Sequence, residues 1–325
     1  MSTELEDLRD AVRGLVARGG DWKRLSAEIG VAGLAIPESY GGAGAGLEAL
    51  GIAMSELGRE LVPTPMLGSA VLAGQALLGS GDSAACARLL PGIADGSRTV
   101  ALAWATAAGR WDPAVRSVTA DGSALTGAAH YVLDGASADV LLVAADTGLY
   151  EIDPAAPGVT VEAIPAMDTT RDLAIVRLDG APGRRIHGDG ALDTALDHAR
   201  VALAAEQTGA AERALEITVE YAKTRVQFGR PIGSFQALRH RMADMYVSVE
   251  SARSLWRAAA REPELAASAH SYCSRALRSV AAEMIQIHGA IGVTWEHPAH
   301  RYLKRAHGSA LLFAASASDG PPLGA

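Results

Sequence analysis

From Ala191 to about Thr224 the apolar residues return at helical spacing without a break. That pattern predicts one long helix. A loop, QFGRPIGSF at 227–235, ends it, and a second helix is expected from about Gln236 to Arg261. Two more are expected at roughly 263–289 and 297–315. Helices of this length at this period predict an antiparallel four-helix bundle, and we assign it to 187–325. The last residues, SASDGPPLGA, lack periodicity and read as a frayed tail.

Upstream the pattern changes twice. Between 99 and 186 the chain shows short runs rich in Val, Leu and Ile: SALTGAAHYVL at 123–133, VLLVAA at 140–145 and AIVRLDG at 174–180. Turn pairs such as Asp121-Gly122, Asp134-Gly135 and Pro157-Gly158 separate them, so a small antiparallel β domain is expected. Residues 1–98 return to helical spacing, as in Leu8, Val12, Leu15 and Val16, and then Leu50, Met54 and Leu57. The break between these runs, IPESYGGAGAGLE at 36–48, is a loop. The fold class is therefore mainly α with a β domain in the middle.

Composition narrows the function. With 325 residues, 49% hydrophobic and 20% charged, the chain can bury a large core and is not disordered. The charge is 29 minus 37, or −8, which disfavours general nucleic-acid binding. Cys86 and Cys273 are far apart, so neither a disulfide framework nor a cysteine zinc site is expected. The N-terminus is charged and lacks the apolar core of a signal peptide. No long apolar run predicts a membrane span, and the expected location is the cytoplasm.

Three motifs have competing readings. GGAGAG at 41–46 looks like a dinucleotide fingerprint, but a true one follows a strand and opens a helix, whereas this one joins helices. His297 and His300 share a spacing that metal ligands use, but no HExxH or carboxylate cluster accompanies them, and no metal is expected. Arg225-Val226-Gln227-Phe228-Gly229-Arg230 offers two fixed cations, an amide and a glycine between two helices. Such a loop can clamp a pyrophosphate or can be merely solvated; the residues by themselves leave both readings open.

A resemblance decides between them. YAKTRVQFGRPIGSFQALRHRMADM at 221–245 is similar to the signature of acyl-CoA dehydrogenases. QIHGAIGVTWEHPAHRYLKRA at 286–306 resembles that family's second C-terminal signature, and GVAGLAIPESYGGAGAGLEALGIAMSELGRELVPTP at 30–65 its N-terminal helical domain. The resemblance spans essentially the whole chain and implies the family fold: helical domain, β domain, four-helix domain. It implies FAD as cofactor, with Arg225, Gln227, Phe228 and Gln236 contacting an FAD held mainly by a neighbouring subunit. Gln286 and Gly289 would line the adenosine end, and Ala290 replaces the family's second glycine. Asp197 and Arg200 match positions on the substrate side.

The same resemblance exposes losses. The family's usual catalytic Glu falls at Phe313, and its alternative site, just before Arg200, is Ala199. The loop that touches flavin and thioester is represented by ALAWATAAGRWDP at 101–113, with Trp104 where a small hydroxyl residue is usual. In GAAHYVLDG at 127–135 the family's Lys is absent, and Leu133 stands for the hydroxyl that reaches the flavin. No catalytic residue is therefore expected on this chain. General base catalysis contributes about 10² to 10⁴ in rate, and neither Phe nor Ala accepts a proton. Glu206, two turns beyond Ala199, is expected to be a structural or interface residue.

The expected role is the non-catalytic subunit of a heteromeric acyl-CoA dehydrogenase, a heterotetramer with two copies of each chain. Its substrate would be an acyl-CoA with a bulky, steroid-like side chain, and its electron acceptor an electron-transfer flavoprotein or similar protein. Two alternatives stand: a homomeric flavin enzyme with oxidase- or hydroxylase-like chemistry, and a scaffold subunit without flavin.

Overall fold

A computed structural model describes residues 2–109, 111–188 and 190–314. The expected tail at 316–325 and the last residue of the helix anticipated at 297–315 lie outside the described residues.

The N-terminal part is helical. Helix α1 (Thr3–Ala17) starts where the Ser2 hydroxyl accepts the Leu5 N–H at 3.4 Å. A single turn, α2 (Trp22–Arg24), capped by Asp21, runs into a π-helical turn. The GGAGAG segment is the loop before α3 (Gly46–Arg59), as its neighbours required. A π-helical segment at 66–73 feeds α4 (Gly74–Ser80), and α5 (Ser83–Ala94) begins at an Asp82 cap that holds two backbone N–H groups at 3.0 Å.

Among the described residues eight strands follow: β1 (Val100–Ala103), β2 (Val118–Asp121), β3 (Ala124–Leu133), β4 (Val140–Ala145), β5 (Gly148–Ile152), β6 (Val159–Ala163), β7 (Leu173–Pro182) and β8 (Arg184–Ile186). They form two sheets ordered β1-β4-β5-β8 and β2-β3-β7-β6. Ala103, Val143 and Tyr150 of the first share a core with Leu125, Val132 and Val176 of the second. The expected antiparallel domain needs one correction: β1 and β4 pair in parallel. A parallel pair requires a long crossover, and here β2 and β3, which belong to the other sheet, supply it. The opposite face of the first sheet, with Leu102 and Leu142, packs into the helical core. Burial on both faces explains why VLLVAA is a continuous apolar run.

The bundle consists of α6 (Ala191–Thr224), α7 (Gln236–Ala259), α8 (Ala266–His288) and α9 (Ala299–Leu311). A two-residue hairpin, β9 (Val226–Gln227) and β10 (Arg230–Pro231), links α6 to α7. Helix α6 is buried without a break over 201–211 because its first half packs on the N-terminal helices and its second half on α7, α8 and α9. Where α3 crosses α6 the backbones touch: a Cβ on Gly58 would collide with the Glu206 carbonyl, and one on Gly209 with the Ser55 carbonyl. We propose domain limits after residues 98 and 186, since the elements change type between α5 and β1 and again between β8 and α6. Among the described residues no helix is long and apolar enough to cross a membrane.

Candidate functional site

The place expected for the catalytic base is filled with aromatic rings. Phe313 follows α9 at φ +59 and is 0% exposed. Its ring meets Trp111 edge-on, centroids 5.0 Å apart, and Trp111 meets Trp104 in the same way at 5.2 Å. The Trp111 indole N–H donates to the Leu311 carbonyl at 2.9 Å, which fixes the middle ring. Edge contacts of this kind add about 0.5–1.5 kcal/mol each beyond burial. Packing is bought against polar satisfaction, because the buried Trp104 indole N–H has no partner among the described residues.

The other expected base position is closed too. Ala199 is completely buried in α6. The next residue, Arg200, is already committed: its Nε–H donates to the Phe313 carbonyl at 3.2 Å and its Nη1 to Asp197 at 3.2 Å. Of the two expected substrate-side residues, Asp197 remains half-exposed and Arg200 points inward. Leu133 is buried and offers no hydrogen bond where a hydroxyl was expected.

Between the β domain and the bundle lies a cavity of about 730 Å³, lined by Trp111, Tyr131, Leu173, Arg278, His307 and Leu311 among others. Burial, then the charge of Arg278, holds the His307 imidazole below its ordinary pKa.

Glu206 turns out to be the hub of a buried ionic cluster. Its Oε1 accepts from Arg171 at 2.6 Å and from Arg305 at 2.8 Å. Arg305 also donates to the Thr170 hydroxyl at 2.7 Å, and its Nε lies 3.0 Å from Asp168. Burial lowers the Arg171 pKa, with Glu206 opposing it. Nearby Asp134, itself at φ +56, is pushed up to about 7 by burial. The sequence carried one hint of this cluster: a Glu inside the apolar run VALAAEQTGAA needs a buried cation.

The residues expected on the adenosine side lie at the other end of α6 and are open to solvent. In the hairpin Phe228 is 91% exposed at φ +52, and Gly229 follows at φ +75. Arg230 stacks over the Phe235 ring at 4.2 Å, whereas the Arg225 guanidinium has no partner among the described residues. Gln227 donates to its neighbour's carbonyl, Val226, and the Gln236 amide sits 3.5 Å from His240. Gln286 and Gly289 are exposed at the end of α8. Tyr221, one turn before Arg225, stacks on His288 at 4.3 Å, so the fold brings both sets to one end of the bundle. Gly289 adopts φ +66, ψ −144, and a Cβ there would meet nothing. His297 packs on His288 at 4.3 Å, and burial lowers the pKa of both rings.

This order of helical domain, β domain and helical bundle defines a three-part flavoprotein fold of the dehydrogenase type. The chain belongs to the acyl-CoA dehydrogenase family. The profile of the acyl-CoA dehydrogenase N-terminal domain matches residues 3–97, and that of the C-terminal domain residues 187–312. The chain is 44% identical over 311 residues to acyl-CoA dehydrogenase IpdE2 of Mycobacterium tuberculosis, spanning 93% of this chain and 86% of that protein. Among solved structures it resembles the Tcur3481-Tcur3483 steroid ACAD (32% identity, TM-score 0.86, 97% and 95% of the two chains). It also resembles the ChsE4-ChsE5 complex from Mycobacterium tuberculosis (30% identity, TM-score 0.85, 95% and 93%).

The family's FAD fits this chain only in part. Arg225 and the open cradle at Gly289 suit a pyrophosphate and a sugar. The thioester side does not fit, because Trp104, Trp111 and Phe313 occupy it.

Proposed function

We propose that this chain is the non-catalytic subunit of a heteromeric acyl-CoA dehydrogenase. It supplies the adenosine and pyrophosphate half of an FAD site whose catalytic Glu lies on a partner chain. The observation that carries this reading is Phe313, fully buried at the base position and held in a stack of three rings. FAD, when bound, supplies the acceptor for the hydride leaving the β-carbon. This chain's part is to bind and orient. Arg225 neutralises pyrophosphate charge, Gln227 and Gln236 offer hydrogen bonds, and Phe228 reaches across to the partner. The likeness to a two-protein steroid ACAD supports a heterotetramer and a bulky, steroid-derived acyl group as substrate. We assign an electron-transfer flavoprotein or similar protein as electron acceptor.

One observation favours a second reading, a homomeric flavin enzyme with altered chemistry: the 730 Å³ cavity beside Tyr131 and Trp111 has room for a ring system. Flavin content separates the two. Purified alone, the chain should hold little FAD, and it should gain it on co-expression with a partner that keeps the Glu. In that complex, removal of the partner's Glu should abolish anaerobic flavin reduction by acyl-CoA, while Asp197→Asn here leaves most of it. A stoichiometric flavin on the isolated chain would favour the second reading.

A further inference from the structure

A second, smaller cavity contains none of the three stacked rings and none of the 225–230 loop, and shares only the Leu133 wall with the expected flavin side. It measures about 140 Å³ and lies among α3, the 62–67 segment, Asp134, the 168–172 loop, α6 and α9. A cavity of about 150 Å³ is known to hold benzene when its walls are apolar. Here the apolar wall is made by Met54, Leu57, Met66 and Leu133 among others. The other side is the ionic cluster.

Three polar groups on that side lack partners among the described residues. Asp134 is buried, with 9% of the residue exposed, yet its carboxyl makes no hydrogen bond among the described residues. The Arg171 Nε–H is buried and unpaired. The second carboxylate oxygen of Glu206 is also free, because both arginines donate to Oε1. Leaving buried polar groups unmet is costly, so such a set calls for a guest. The charges are already matched: Arg171 and Arg305 face Glu206 and Asp168. A charged guest would upset that balance; a neutral one with an oxygen would complete the hydrogen bonds.

We propose that this cavity binds a small neutral molecule built on one six-membered ring and bearing a hydroxyl or keto oxygen. The oxygen meets Asp134 and Arg171, and the ring lies against Met54 and Leu57. This site does not depend on the subunit role proposed above.

The probe is cyclohexanol, compared with methylcyclohexane on the full-length chain by ligand-observed NMR and thermal melting. Cyclohexanol should bind saturably and at least about tenfold more tightly than methylcyclohexane. Asp134→Gly suits the positive φ, removes the carboxyl, and should bring cyclohexanol down to the level of methylcyclohexane. Leu57→Phe should fill the space and abolish binding of both; if that variant does not fold, Asp134→Gly still decides. Equal binding of the two probes, no change in Asp134→Gly, or soaked crystals with only water at Asp134 would overturn the proposal.

Discussion

The two ends of the expected cofactor path differ in burial. At the β-domain end Trp104, Trp111 and Phe313 are at most 4% exposed, and three rings fill the reaction centre. At the bundle end Phe228 is 91% exposed, and Arg225 has no partner among the described residues. The first end is core. The second keeps the traits of a surface that waits for something to bind. On the proposed reading, a catalytic centre is lost by packing as well as by removal of a base, while the exposed end stays available for binding.

The largest effect should come at the first end. Phe313→Glu places a carboxylate among rings, where the adjacent Arg200 is already taken up by the Phe313 carbonyl and Asp197, and a buried charge without its own partner costs about 3–5 kcal/mol. Chemical denaturation should show that loss, and the isolated variant should gain no dehydrogenase activity. A stable, active variant would show that the ring stack is not what closes the site.

Asp134 gives an intermediate effect that depends on pH. Its folded pKa is raised from the ordinary 3.8 to about 7, so across that window the folded chain holds a proton that the unfolded chain has released. This group's contribution must therefore fall as pH rises from about 4 to 7. Denaturation of Asp134→Asn at several pH values should show a flatter profile than the parent; parallel profiles would contradict the assignment.

At the open end, Arg225→Ala should lower the FAD affinity of the assembled complex by about 1.5–3 kcal/mol in a flavin titration. Phe228→Ala should be the mildest change to the chain itself, within about 0.5 kcal/mol in folding stability. It should nonetheless weaken assembly with the partner by about 1 kcal/mol or more, read by sedimentation.

Much of the fold was legible because helical period and helix ends are local signals. Helix α6 was expected at Ala191 to Thr224 and runs there, and α7 starts at the expected Gln236. VLLVAA is β4, and SALTGAAHYVL contains the whole of β3. The parallel pairing of β1 with β4 was not legible, since the partners are 40 residues apart and nothing local encodes their order. The ionic cluster was hidden for the same reason: Arg171, Glu206 and Arg305 come from three distant segments, and Asp134-Gly135 read as a plain turn. Sequence placed Phe313 at the base position, but only packing shows that Trp104 and Trp111 close the space around it.

The most direct measurement is the FAD content of this chain, alone and co-purified with a partner that carries the Glu, followed by anaerobic reduction with acyl-CoA. The account predicts little flavin on the isolated chain and bound, reducible flavin in the complex, with reduction lost when the partner's Glu is replaced. Stoichiometric flavin on the isolated chain, reduced by acyl-CoA without any partner, would contradict it.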